Sequence, residues 1–334
     1  MLTLAIILSA LFVGWNIGAN DAANAIGTVI GSNATGYRWA VLLVGFFAIV
    51  GAIMQGSNVA ETVRSIVPEE HLEANTLAVL SAMTAAGVVI LGMTLLGMPI
   101  SGSQAIIGAL AGAGIALGLW DEIEYVIILK ILVCWILSPL AACALAILVY
   151  TKLITPLFNR MNVITFTQIF KILALLGASL LAYDLGANNI GNALGPVLSA
   201  KALDTTVFFG FTLQPMVFGA LIIGLSIGAG AIMFGRNVAV TLGKKITTIG
   251  PATAFSAQLA AGVTVYSFVV LGIPVSTTQA IVGGVIGVGL TKGVQTVNTE
   301  TLKNIMFGWF ITPIMSCIAS VVVYLICVRV LPLL

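Results

Sequence analysis

Four sequence elements recur in the same order, 168 to 179 positions apart. Gly18-Ala19-Asn20-Asp21-Ala22-Ala23-Asn24-Ala25 returns as Gly186-Ala187-Asn188-Asn189-Ile190-Gly191-Asn192-Ala193. Gly56-Ser57-Asn58-Val59-Ala60-Glu61-Thr62 returns as Gly235-Arg236-Asn237-Val238-Ala239-Val240-Thr241. Pro99-Ile100-Ser101-Gly102-Ser103-Gln104 returns as Pro274-Val275-Ser276-Thr277-Thr278-Gln279, and Trp135 with Pro139 returns as Trp309 with Pro313. Repetition at a long, nearly fixed period means two copies of one structural unit. The reading is one repeat over residues 1–160 and a second over residues 161–334.

Each unit has to live in lipid. Of the 334 residues 60% are hydrophobic and 7% charged, against about 45–50% and about 25% in soluble chains. A net charge of +2 offers no basic stripe for a phosphate backbone, which excludes nucleic acid as a partner. The first seventeen residues lack the basic start of a cleaved signal and continue into further apolar sequence, so they are read as part of the mature chain. Polar interruptions divide the chain into ten blocks of the length a spanning helix needs: 2–33, 39–63, 74–97, 99–119, 125–150, 163–198, 206–233, 249–271, 273–291 and 304–328. The expected fold is all-α, a multi-pass protein of the cell membrane with about five crossings per repeat. The first and sixth blocks are too long for simple helices and carry Gly/Asn-rich centres, which suggests broken or re-entrant helices.

An odd number of crossings per repeat makes the two copies inverted. Alternating sides from an outer N-terminus places Arg38, Lys152, Arg160, Lys171, Arg236, Lys244, Lys245, Lys292 and Lys303 at the cytoplasmic face and only Arg64, Lys130, Lys201 and Arg329 outside, as the positive-inside rule requires. Inverted repeats with interrupted helices are the sequence signature of secondary transporters, with the substrate where the repeats meet.

Ionisable groups inside such segments are functional candidates. Asp21 lies between Asn20 and Asn24, where Gly18 and Gly27 could let the helix open. Freed carbonyls, amide oxygens and a carboxylate would then form the hard-oxygen environment of a small cation. The alternative is that Asn20, Asn24, Asn188, Asn189 and Asn192 only join helices by hydrogen bonds. Glu61 is either a further cation ligand or the partner of Arg64, three residues on. Asp184 aligns with Asn16 and either flanks the site or snorkels.

The Pro-x-Ser elements read as an anion cradle. Pro99 and Pro274 end one helix, and Ser101-Gly102-Ser103-Gln104 and Ser276-Thr277-Thr278-Gln279 have the S-x-x-Q form that opens another. Helix N-termini and hydroxyls can hold an oxyanion without a buried arginine. A capping box with no ligand is the alternative for either copy alone. Enzymatic readings find little: the one histidine, His71, lies in an acidic loop, and there is no HExxH. Cys134, Cys143, Cys317 and Cys327 lie in apolar runs without CxxC pairing, which argues against disulfides and zinc.

At these residues the chain resembles the inorganic phosphate transporter (PiT) family, whose duplicated GANDxxNA mark corresponds to Gly18–Ala25 and, degenerately, to Gly186–Ala193. A G-x-x-V-x-E-T element at Gly56–Thr62 and P-x-S segments at Pro99 and Pro274 extend the likeness over both halves. The resemblance implies a secondary symporter in which sodium or protons drive phosphate uptake, with no organic cofactor. It implies cation contacts at Asn20, Asp21, Asn24, Glu61, Asn188, Asn189 and Asn192, and phosphate contacts at Ser101–Gln104 and Ser276–Gln279. Four positions depart from the family's common pattern: Asn189 and Val240 stand where an acid is usual, and Gln104 and Gln279 where histidine is frequent. Glutamine cannot titrate, so sodium is expected over protons, with proton-coupled phosphate or sulfate transport and an anion channel as the alternatives. A homodimer would suit such a carrier, and nothing in the sequence locates its interface.

Overall fold

The computed structural model describes residues 2–208 and 211–330. With no water to satisfy backbone amides in lipid, long apolar runs have helix as their available state. The first half contains α1 (Leu2–Asn20), α2 (Ala22–Gly31), α3 (Tyr37–Arg64), α4 (Glu69–Ala74), α5 (Thr76–Leu95), α6 (Gly102–Ala116), α7 (Tyr125–Leu148) and α8 (Thr155–Phe158). The second contains α9 (Val163–Leu185), α10 (Gly191–Ser199), a small antiparallel ribbon of β1 (Thr206–Phe208) and β2 (Phe211–Leu213), then α11 (Pro215–Val240), α12 (Pro251–Val270), α13 (Thr277–Leu290) and α14 (Thr299–Val330). The seventh apolar block therefore starts at Pro215 rather than 206, because the ribbon occupies its beginning.

Among the described residues eight segments are long and apolar enough to cross a membrane. The expected count of ten is too high. α6 and α13 have 15 and 14 residues, about 22 Å at 1.5 Å per residue, short of the roughly 30 Å hydrocarbon thickness. Contacts between element ends show how the chain runs. At one end of the molecule Leu2 lies beside Asn75 and Thr76, Glu124 N–H donates to Ile66 O (3.1 Å), Asn75 donates to Tyr324 Oη (2.9 Å) and Lys201 pairs with Glu73 (2.6 Å). At the other, Gly31 abuts Gly243, Lys292 Nζ donates to Thr248 O (3.0 Å), Asn298 N–H donates to Ile246 O (2.9 Å), and Tyr150, Phe166 and Pro251 share a cavity.

The start of α5 and the end of α6 thus share the first end, and the start of α12 and the end of α13 share the second. Each pair is a hairpin that returns to its own end, although α5 and α12 alone are long enough to cross. The two tips meet inside, where Ser103 Oγ lies 3.0 Å from Val275 O. Three full passes remain in each half, still an odd number, so α1 and α9 begin at opposite ends.

The expected breaks are also slighter than the glycines suggested. Asp21, between α1 and α2, keeps helical dihedrals (φ −77°, ψ −36°), and its N–H donates to Ile17 O at 2.7 Å. Between α9 and α10 the backbone widens into a π-helical turn over Gly186–Ile190 without unwinding. The glycines serve close approach instead. Where α1 crosses α11, a Cβ on Gly18 would lie 1.9 Å from Ile227 O and one on Gly230 1.7 Å from Trp15 O. Where α9 crosses α3, the equivalent Gly186 and Gly51 would meet Ala48 O at 1.7 Å and Tyr183 O at 1.9 Å.

The halves exchange partners. α6 lies against α14, with Gly108 at Pro313, and α13 lies against α7, with Gly283 at Pro139. Gly186→Ala and Gly51→Ala are each expected to destabilise the protein by about 1–3 kcal/mol or more through backbone overlap. Thermal unfolding in detergent measures this, with Gly45→Ala and Gly92→Ala, which have open space around the added Cβ, as unaffected controls.

Candidate functional site

The hairpin tips are built alike. Gly97 and Gly272 take positive φ (67° and 70°), a conformation that costs glycine little, and so turn the chain ahead of Pro99 and Pro274. Ser101 Oγ then accepts Gln104 N–H (3.3 Å) and Ser276 Oγ accepts Gln279 N–H (3.1 Å), which starts α6 and α13. The reciprocal half of the capping box is missing: Gln104 Oε1 and Gln279 Oε1 are buried without partners.

The asparagines of the long helices grip these tips in matched pairs. Asn20 Oδ1 accepts Ile100 N–H (3.0 Å) while its amide donates to Thr94 Oγ1 (2.9 Å) and Met98 O (3.0 Å). Asn188 Oδ1 accepts Val275 N–H (3.1 Å) while its amide donates to Val275 O (2.7 Å). Each of these holds the hairpin of its own half. The next asparagines reach across, Asn24 donating to Thr278 Oγ1 (2.6 Å) and Asn192 to Ser103 Oγ (2.7 Å).

Asp21 joins both tips. Its Oδ2 accepts Gly102 N–H (3.0 Å) and the amide of Asn189, and its Oδ1 accepts the Thr278 hydroxyl (3.2 Å). A Cβ on Gly102 would lie 2.6 Å from that Oδ2, so the bare glycine is what lets the carboxylate approach. Asn189 occupies the position equivalent to Asp21, which makes the centre an acid facing an amide. Four amide oxygens, on Asn24, Asn192, Gln104 and Gln279, and the hydroxyl of Thr277 remain buried and unpartnered around the tips. The donor set suits a hard cation, and the helix starts with their hydroxyls suit an oxyanion.

Twelve of the fifteen residues singled out from the sequence take part in these tip contacts or supply their unpartnered atoms, and Ser101 and Ser276 cap the helices. One of the twelve, Gly102, does so through its backbone alone. Freed backbone carbonyls are not part of the site, because the long helices stay wound. Glu61 is not gathered: it is exposed, in a surface recess with Arg64, Ser65 and Glu69. Arg64 pairs with Glu69 instead, and helical phase puts Glu61 on the outer face of α3. Two neighbours were not foreseen. Thr94 is an ordinary-looking threonine in an apolar run. Gln258 of α12 donates to Ala25 O (3.2 Å) and to Thr28 Oγ1. Gln258 had a detectable signal as a lone amide in a block otherwise free of long polar side chains.

A polytopic membrane fold whose two hairpin tips close on a buried polar centre is, by comparison with known proteins, that of a transporter. A model of the phosphate transporter family matches the chain twice, over residues 17–166 and 158–320. A protein of Methanocaldococcus jannaschii provisionally named a phosphate permease is 34% identical over 307 residues, covering 92% of each chain. One of Pyrococcus furiosus with the same provisional name is 29% identical, covering 95% of this chain and 94% of its own. A solved structure titled as a sodium-dependent phosphate transporter superposes with a TM-score of 0.85 at 25% identity, over 97% of this chain and 98% of that one. The chain belongs to the phosphate transporter family.

Ser103→Ala removes the acceptor shared by the Asn188 and Asn192 amides without changing the helix start. Leaving buried donors unmet is expected to cost about 1–3 kcal/mol, read as a lowered unfolding midpoint in detergent. An unchanged midpoint would mean that the tip network contributes nothing to stability.

Proposed function

We propose that this protein takes up inorganic phosphate by sodium symport with alternating access, its two halves acting as inverted repeats. The observation that carries the reading is that one carboxylate, Asp21, bonds to both hairpin tips, Gly102 of the first and Thr278 of the second. Sodium would bind among Asp21, Asn20, Asn24, Asn188, Asn189 and Asn192, displacing the amide donors that now occupy the carboxylate. Phosphate would bind between the starts of α6 and α13, at Ser101–Gln104 and Ser276–Gln279. Glu61 has no place in this centre.

Coupling follows from charge. A divalent anion or a cation alone at mid-depth leaves an uncompensated buried ion costing several kcal/mol, so only the filled or the empty carrier reorients. Nine basic residues lie towards the Gly31 end and four towards the Leu2 end, which assigns the Gly31 end to the cytoplasm. The glutamines at 104 and 279 in place of a titratable group favour sodium over protons, as does the similarity to a solved sodium-dependent phosphate transporter.

Uptake and counterflow of labelled phosphate in proteoliposomes, with sodium and pH varied independently, tests the reading. Asp21→Asn is expected to abolish sodium-dependent uptake while the protein still inserts. Uptake at the wild-type level would remove Asp21 from the mechanism. Uptake that follows pH and ignores sodium would favour proton coupling, and flux that neither saturates nor concentrates substrate would indicate a channel. Ser101→Ala combined with Ser276→Ala is expected to raise the phosphate concentration for half-maximal uptake more than the sodium concentration; the opposite order would exchange the two site assignments.

A further inference from the structure

Asp184 is the one acid of the membrane interior that the proposed mechanism leaves unused. It is 0% exposed, and neither carboxyl oxygen has a hydrogen-bond partner, so it does not snorkel. Its surroundings explain how it fits: Gly262 of α12 faces it, and a Cβ there would lie 3.4 Å from Asp184 Oδ2 and 2.7 Å from Leu180. The missing side chain leaves room for a carboxyl and for little else. At the equivalent position of the first half, Asn16 donates to Phe12 O (2.8 Å).

The neighbouring elements supply no countercharge. α9 packs against α2, α3, α12 and α13. Tyr183 is its neighbour in the chain, and Tyr266 of α12 lies against Tyr183 with ring centroids 6.4 Å apart. Within their described spans, α2 and α13 contain no titratable residue, and Asp21 at the head of α2 is engaged with the tips. The titratable residues of α3 (Tyr37, Arg38, Glu61, Arg64) lie at its ends. A lone ionised carboxylate in lipid-depth surroundings is costly. A metal ion would need several further oxygens, which Leu180 and Gly262 do not offer. A proton needs none.

We infer that Asp184 is a proton-binding site, holding a proton on its carboxyl in this conformation. α9 runs from the Gly31 end and reaches Asp184 before Asn188, so the residue sits on that side of the tips. The proton exchanges with water from that end. The site titrates whether or not sodium or phosphate is bound, so it can stand or fall independently of the symport proposal.

Infrared difference spectroscopy of the full-length protein in lipid bilayers, with isotope-labelled aspartate and a pH series, tests this. The expected result is a label-sensitive protonated-carboxyl band at neutral pH that is kept in Asp21→Asn and lost when Asp184→Asn is added to that variant. Absence of the band from Asp21→Asn, or its persistence in the double variant, overturns the inference. If the double variant fails to fold, the Asp21→Asn protein decides alone. Its remaining aspartates besides Asp184 are Asp121 and Asp204, both exposed, so a protonated band at neutral pH there belongs to Asp184 and its absence refutes the site.

Discussion

A polar atom buried at lipid depth has no water to fall back on, and the centre of this protein is organised around that fact. The Asp21 carboxylate receives a backbone amide, a side-chain amide and a hydroxyl, from three different elements. Those three donors are also what pins the two hairpin tips to each other and to the long helices. Removing the acid's partners would expose a charge, and removing the acid would leave donors unmet. The carboxylate's need for donors is therefore one of the forces that hold the tips in place, beside the bonds from Asn20, Asn24, Asn188 and Asn192. The leftover acceptors, on Asn24, Asn192, Gln104 and Gln279, occur as equivalent pairs, which suits a centre completed by something other than protein.

Small residues make the centre possible by letting backbones touch. Glycine pairs set the α1–α11 and α9–α3 crossings, and these position Asn20, Asp21, Asn188 and Asn189 at the tips. Gly108 and Gly283 bring α6 and α13 against the proline-containing helices of the opposite half. Each hairpin is thus braced by the half to which it does not belong, and neither half buries its own polar tip alone.

Much of this was legible in the chain. The duplication, the helical class and the helix starts at Ser101 and Ser276 follow from spacing and capping chemistry. So does the choice of Asn20, Asp21, Asn24, Asn188, Asn189 and Asn192, since polar residues recur at matched places in apolar runs. Whether α5 and α6 cross or fold back was not legible, because a hairpin arm and a spanning helix share the same composition and differ only in what their ends touch. Glycine was ambiguous in the same way: at Gly18 and Gly186 it permits close approach, where the sequence equally allowed unwinding. Glu61 was misplaced because its motif carries no information on which face of α3 it occupies. Asp184 became interpretable only once Gly262, distant in sequence, was found beside it.

The exchange of partners between halves has a consequence for directionality. The α6–α14 contact of one half recurs as the α13–α7 contact of the other, so these braces by themselves do not tell one end of the molecule from the other. What breaks the tie is a short set of substitutions between equivalent positions: an acid against an amide at 21 and 189, an acid against valine at 61 and 240, an amide against an acid at 16 and 184. A nearly repeated scaffold is thus made unequal at its two ends by a few side chains.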